Sequence, residues 1–361
     1  MRVMTDRTMS GRSLSRRSLL QAAGTLAGAS LGTRAVDVAA QPAAGAPAIT
    51  LTCADYVRYM HIACGDVKPE GVALTWVRGD RTQMLRRAAQ DPIVDGGESS
   101  MAQHIVRIAN GDRSMVAIPI FPLRNFTARD AYMAAGSTLT PTSMEGKRIG
   151  IYGWAASGAV WKRHMMRWYK QDPAKVTWVV GDADVPSTGT GAPGLPPYVS
   201  YAPKGKNLTD LLFAKDIEAM MVSLPPARFY DGSGTMTRLI PDYRLVEQRY
   251  FKDTKCFPPQ HVILIRKAVW ERNPSVGKRL VDAFQKADEM FNAVQRLYPY
   301  ASPWLIEDVE QSEQQMGPHS YAPGMEANRH VLDQFCEGAF LDGMTKRRVT
   351  VDEMFSEFLA T

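Results

Sequence analysis

Cysteine is scarce in this sequence. There are four in 361 residues (Cys53, Cys64, Cys256 and Cys336), with no CxxC pair, no HExxH and no cluster among the six histidines. No metal-ligand pattern is therefore present, and no metal is expected. A nucleotide or flavin motif is also missing. The lone Gly189-x-Gly191-x-x-Gly194 lies in a proline-rich stretch and not at a strand-to-helix turn, so no cofactor is expected. Long apolar runs are absent too. Residues 18–33 are uncharged for sixteen positions, short of the roughly 20 apolar residues a bilayer span requires. Residues 185–203 are uncharged for nineteen, but five prolines and three glycines make them an extended loop. Finally, the body lacks an excess of charge. The net +6 is concentrated in residues 1–40, where six arginines face Asp6 and Asp37; the remainder holds 37 basic and 35 acidic residues, or +2. A nucleic-acid partner is excluded on that ground.

What is present begins with an address. Ser15-Arg16-Arg17-Ser18-Leu19-Leu20 precedes the mild Ala/Gly-rich run and the small residues Val38-Ala39-Ala40, the layout of a secretory signal. The paired arginines and weak apolar region are similar to a twin-arginine signal, with Leu19 and Gln21 departing from the commoner residues. The expectation is a signal at 1–40, read by the twin-arginine translocase and removed near residue 40, and a periplasmic protein. In that oxidising compartment the cysteines have three possible disulfide pairings; the alternative is four buried thiols.

A Pro/Ala/Gly linker at 41–48 leads into the fold. Strands are predicted at 49–53, 71–77, 115–121, 148–152, 176–180, 218–224 and 261–265, and helices at 81–90, around Ile105, and at 159–169 and 208–213. Further helices are expected at 275–296, 303–315, 328–338 and 351–359. The order strand, helix, strand predicts an α/β fold of mostly parallel sheets with helices on both faces.

Several motifs then occur in a recognisable order. Asp55-Tyr56-Val57-Arg58 and Val67-Lys68-Pro69-Glu70-Gly71-Val72 open it. Ile118-Pro119-Ile120-Phe121-Pro122-Leu123-Arg124-Asn125-Phe126 and Met144-Glu145-Gly146-Lys147-Arg148-Ile149-Gly150 follow. Asn207-Leu208-Thr209-Asp210-Leu211-Leu212, Pro241-Asp242-Tyr243, Phe257-Pro258-Pro259-Gln260-His261-Val262 and Met325-Glu326-Ala327-Asn328-Arg329 complete it. From Ile49 to the C-terminus the chain resembles the 4,5-dihydroxyphthalate decarboxylase-like family, a branch of the type II periplasmic substrate-binding fold. The resemblance implies two lobes, 49–123 with 259–361 and 124–258, joined by crossovers near 121–126 and 256–261, with ligand in the cleft between them.

Candidate ligand residues lie at strand ends and in the crossovers. Asp55, Tyr56 and Arg58 follow the first strand; Arg58 either clamps a carboxylate or pairs with Asp55. Glu98 and Ser99 precede a helix and either meet ligand or cap that helix. Arg124 in the first crossover is the foremost anion candidate, against a hinge ion pair. Trp154 and Ser157 occupy a turn where an aromatic ring can be stacked and an anion held at a helix start. Arg228 ends another strand, as an anion contact or a surface arginine. His261 enters a strand as acid or base, or as a hinge residue held by backbone bonds.

Two functions are expected from these residues. The first is an exported protein that captures a small aromatic carboxylate for a membrane importer, an ABC-type permease. Export, the sparse acid/base set and the missing cofactor motifs favour this first reading; the alternative is a non-oxidative decarboxylase, in which His261 and Glu98 are the catalytic pair.

Overall fold

The computed structural model describes residues 46–297 and 302–361. The expected signal at 1–40 and residues 41–45 of the expected linker lie outside the described residues.

Eleven strands form two sheets among the described residues. The first sheet contains β1 (Ala48–Ala54), β2 (Ala73–Gly79), β3 (Gly96–Ser100) and β4 (Met115–Ile118). The second contains β5 (Ala131–Ala134), β6 (Arg148–Ile151), β7 (Thr177–Val180), β8 (Val199–Tyr201), β9 (Ala219–Met221) and β10 (Met236–Arg238). The chain then returns to the first sheet as β11 (His261–Arg266). The orders are β2-β1-β3-β11-β4 and β10-β5-β9-β6-β7-β8. Helices α1 (Met60–Ala63), α2 (Arg81–Gln90) and α3 (Met101–Ala109) belong to the first pass, and α4 (Ser157–Trp168), α5 (Leu208–Phe213) and α6 (Tyr243–Thr254) to the second. After β11 come α7 (Lys267–Trp270), α8 (Val276–Gln295), α9 (Leu305–Met316), α10 (Arg329–Leu341), α11 (Val351–Met354) and α12 (Ser356–Leu359).

Residue alternation explains why helices cover both faces. On β11, Val262 and Leu264 enter one core with Met101 and Ile105, whereas Ile263 and Ile265 enter another with Leu280 and Phe284. On β7, Trp178 and Val180 face the first core and Val179 faces a third with Leu208 and Met220. A period of two with both faces apolar is what a strand buried between helix layers requires.

Parallel pairings are the majority, as expected, and each sheet also carries antiparallel ones. β1 runs parallel to β2 and β3, but β11 is antiparallel to β3 and β4 because it re-enters from the opposite end. In the second sheet β6, β7, β8 and β9 are parallel neighbours, and β5 is antiparallel to β9 and β10.

The least expected element is β3, because Gly96-Gly97-Glu98-Ser99-Ser100 reads as a cap and not as a strand. Its glycines are obligatory here. At φ values of +156° and +150°, a Cβ on Gly96 would lie 2.0 Å from the Leu264 carbonyl oxygen, and one on Gly97 2.2 Å from that of Thr52. Gly97→Ala should therefore destabilise the protein by at least about 1–3 kcal/mol for the strained dihedral alone. A urea midpoint equal to wild type would show that β3 can shift to make room.

The two crossovers run antiparallel, side by side. Gln260 N–H donates to Leu123 O at 2.8 Å and Asn125 N–H to Pro258 O at 3.2 Å. A second link joins the two sheets. Helix α10, expected to belong to the first lobe alone, packs on α4 as well as on α3 and α11. Phe335 of α10 lies 5.7 Å from Trp161 of α4, and both belong to a core that also holds Met101, Ile105 and Met354. Beneath it, Arg163 of α4 meets Asp342 at 2.6 Å with both side chains fully buried, and Arg167 bonds the same carboxylate at 2.5 Å.

All four cysteines are free thiols; Cys53, Cys256 and Cys336 are buried and Cys64 is exposed. Among the described residues no helix is long and apolar enough to cross a membrane.

Candidate functional site

A cavity of about 810 Å³ opens between the two sheets. From the first sheet it receives Arg81 at the start of α2, Ser100 at the end of β3, and Gln260 and His261 of the second crossover. From the second it receives Tyr152 and Trp154 after β6, Ser157, Gly158 and Lys162 of α4, and Val222 and Ser223 after β9. These positions are the carboxyl ends of parallel strands and the starts of the helices that follow, where open α/β sheets hold ligands.

The helix starts are joined across the cavity. Ser157 Oγ accepts from the N–H of Ala102 at 3.0 Å, capping α3 from the opposite side, and lies 2.9 Å from Ser100 Oγ. Close approach is possible because Gly158 lacks a side chain. A Cβ there would lie 2.4 Å from Tyr152 Oη and 2.8 Å from Gln260 Oε1.

The chemistry centres on Glu98 and His261. They occupy diagonal positions of the β3–β11 ladder, in which Glu98 faces Ile263 and Ser100 faces His261. Glu98 is fully buried, and burial alone would raise its pKa. Opposing that, its carboxylate accepts from His261 Nδ1 at 2.5 Å, Tyr56 Oη at 2.7 Å, Ala54 N at 2.8 Å and Cys53 Sγ at 3.4 Å. The hydrogen bonds win, and the pKa of Glu98 lies below the ordinary carboxylate value. An ionised carboxylate only accepts, so the Nδ1 proton belongs to His261. Nε2 has no protein partner among the described residues, and the ring borders the cavity with its side chain 12% exposed. The alternative of a hinge histidine held by backbone bonds does not match these contacts. Tyr56 and Cys53 are pushed up in turn, first by burial and then by the Glu98 charge.

Besides Arg129, which is paired with Asp130 at 3.0 Å, two further cations border the cavity that the sequence reading passed over. Arg81 makes no side-chain hydrogen bond or ion pair among the described residues and is partly exposed. Lys162 is buried, its Nζ donating to Thr127 O at 3.0 Å and Asp130 O at 3.1 Å, and burial lowers its pKa to about 8. A signal for each existed: Arg81 follows the helix cap Asp80 at a strand end, and Lys162 is a lone lysine beside the apolar Val160 and Trp161.

Several expected ligand residues lie elsewhere. Arg124 is buried outside the cavity lining, donating from Nε to Phe257 O at 3.0 Å and from Nη1 to Asn328 Oδ1 at 2.6 Å. Its role is to hold the crossover to the segment before α10, so its charge is not presented to a cleft ligand. Arg58 does not pair with Asp55. Its Nη2 donates to the carbonyls of Phe121 and Pro122, and its guanidinium packs on Tyr59 and Tyr321. Asp55 is exposed and meets Arg78 at 3.3 Å instead. Arg228 is exposed, bonded to Thr235 Oγ1 and laid over Phe213. Ser99 turns toward the Gly97 carbonyl. Trp154 does border the cavity, but its face is covered by Arg163 at 3.9 Å and its edges meet Trp178 and Tyr198. It is a wall and not a free stacking platform. Ser157 and His261 alone of the expected set both border the cavity and carry a polar group there; Glu98 and Tyr56 stand directly behind them.

No family model matches the chain. Its sequence is similar to the 4,5-dihydroxyphthalate decarboxylase of Comamonas testosteroni, with 26% identity over 317 residues, covering 85% of this chain and 96% of that protein. The Pseudomonas putida protein of the same name is 25% identical over 201 residues, covering 54% of this chain and 77% of its own length. The resemblance carried by the ordered motifs thus extends over most of the sequence. Among solved structures, the chain is similar to the periplasmic aliphatic sulphonate binding protein SsuA from Escherichia coli at 12% identity, covering 85% and 97% of the two chains with a TM-score of 0.49.

Proposed function

We propose that this chain is a carboxy-lyase that releases carbon dioxide from a hydroxylated aromatic acid bound in the cleft, with His261 as the proton donor. The observation that carries this reading is the His261–Glu98 pair: a buried, ionised carboxylate bonded to one ring nitrogen, with the other nitrogen unpartnered at the cavity wall. The curated relatives' name agrees in kind.

The net reaction consumes one proton and no other reactant. A proton passes from His261 Nε2 to the ring carbon that bears the carboxylate; the bond to the carboxylate carbon then breaks, its electron pair returns to the ring as carbon dioxide departs, and His261 regains a proton from water. Glu98 fixes the ring and stabilises its charged form during the transfer. An electron-rich hydroxylated ring is suited to this because it accepts a proton on carbon. Arg81 and Lys162 supply positive charge for the anionic groups of the substrate.

A second reading is capture of the same carboxylate without turnover, for a membrane importer of the ABC type after twin-arginine export to the periplasm. The Arg16-Arg17 layout favours it. Against it stands the core shared by α3, α4 and α10, which would have to be broken for the sheets to swing apart.

The test is to incubate the protein with 4,5-dihydroxyphthalate and analyse the mixture by mass spectrometry. The expected product is 3,4-dihydroxybenzoate with one equivalent of carbon dioxide; bound but intact ligand would establish capture alone. Arg81→Ala should raise KM at least tenfold, since a charge-assisted hydrogen bond contributes about 1.5–3 kcal/mol, and change kcat less. An unchanged KM would remove Arg81 from substrate binding.

A further inference from the structure

A second cavity, of about 350 Å³, lies between the segment after β1 and helices α8 and α9. None of the substrate-facing residues described above borders it. Its walls include the rings of Tyr56, Phe291 and Tyr321 and the polar side chains of Arg58, Asp288, Asp308 and Glu313; Asp308 and Glu313 are already paired with Arg244 and Arg296, so Arg58 and Asp288 are the charged groups left for an occupant.

Those two side chains are incompletely bonded. Asp288 is 2% exposed; its Oδ2 accepts from Asn292 Nδ2 at 3.2 Å, but Oδ1 has no hydrogen-bond partner among the described residues. Arg58 directs Nη2 to two backbone carbonyls, while its buried Nε–H has no partner there either. Burial pushes the Asp288 carboxyl up, and the nearby Arg58 charge counters it in part. A buried polar group without a partner costs free energy, so its presence calls for an explanation.

We propose that this cavity is a second binding site, for an uncharged ligand that carries a primary carboxamide on a flat ring. The amide NH₂ donates to Asp288 Oδ1, the amide oxygen accepts from Arg58 Nε, and the ring lies among Tyr56, Phe291 and Tyr321. Either ionic alternative meets a like charge. An ammonium group would face the Arg58 guanidinium, and a carboxylate would face Asp288. A neutral group offering donor and acceptor side by side satisfies both without bringing in a net charge. The volume suits a single-ring molecule, and aromatic walls favour a planar one. Tyr56 belongs to this cavity and also donates to Glu98, so an occupant would touch a residue that holds the His261–Glu98 pair.

The experiment is calorimetric titration of the full chain with benzamide, benzylamine and benzoate, repeated on Asp288→Leu and Arg81→Ala. Benzamide should bind saturably and, in Arg81→Ala, more tightly than either ion. Asp288→Leu should weaken it at least tenfold while leaving the thermal midpoint equal or higher, because an incompletely bonded buried carboxylate is replaced by an apolar group of similar size. Arg81→Ala should leave benzamide affinity unchanged. The proposal is overturned if benzamide does not bind, if benzylamine or benzoate is preferred in Arg81→Ala, where the cleft's own carboxylate contact is removed, or if benzamide affinity survives Asp288→Leu. Loss of benzamide binding in Arg81→Ala would place the ligand in the cleft and overturn it as well.

Discussion

His261→Gln should lower turnover of the hydroxylated aromatic acid by about 10²–10⁴-fold, the usual contribution of a positioned general acid. Substrate affinity should stay within a few-fold of wild type. Glutamine can still donate to the Glu98 carboxylate, so the buried charge keeps a partner and the fold survives. What is lost is the second ring nitrogen and with it the proton it carries to the cleft. Glu98→Gln should be nearly as damaging, because the amide presents either its oxygen or its NH₂ to Nδ1 and no longer fixes one tautomer. The two losses should not add, since both residues serve one proton transfer. The ionisation of Glu98 also sets a pH dependence. Its folded-state pKa is depressed, so the stability it contributes is complete above the ordinary carboxylate range and is lost as pH falls through the lower folded value. Turnover by His261→Gln within threefold of wild type would remove the pair from the mechanism.

Asp342→Ala should cost about 3–5 kcal/mol of unfolding free energy, the largest stability loss expected here. Arg163 is fully buried in α4; it donates to Trp154 O at 3.0 Å and is otherwise balanced by Asp342 at 2.6 Å. Burial already lowers the Arg163 pKa, so removing the carboxylate leaves an unwilling cation without its counter-charge. Arg167, only partly buried, can turn to solvent and relieve its share. The cost arises from an isolated buried charge and not from the pair as such. Arg163→Met combined with Asp342→Leu should therefore be less damaging than Asp342→Ala alone. Urea unfolding of the three proteins decides this, and a single-variant loss below about 1 kcal/mol would show that Arg163 finds water or another acceptor.

How much of this was legible from the residues depends on how local each feature is. Helix α2 spans the predicted 81–90 because Asp80 caps it and its composition is helical throughout. The apolar run of β11 announced itself in the same way. Strand β3 did not, since Gly96-Gly97-Glu98-Ser99-Ser100 has little strand propensity and extends only because neighbouring backbones on either side leave no room for side chains. Strand β8 was hidden inside a proline-rich segment for a similar reason: its partner β7 supplies the order. Glu98 and His261 were each visible as candidates. Their pairing was not, because it spans 163 residues and depends on the ladder register. Arg124 and Arg58 misled for the opposite reason. An arginine beside a hinge looks like an anion clamp until its donors are traced to backbone carbonyls and an asparagine.

Strand β11 sits between β3 and β4 although the whole second sheet separates it from them along the chain. While the protein is being made, β3 and β4 therefore both exist as open edges until residue 261 and its successors arrive. Unpaired edges of that kind invite mispairing and slow folding. The same closing event brings His261 to Glu98, so no partly folded form can possess the proton-transfer pair. On the carboxy-lyase reading proposed above, recovery of turnover after dilution from denaturant should therefore follow the slowest phase of refolding.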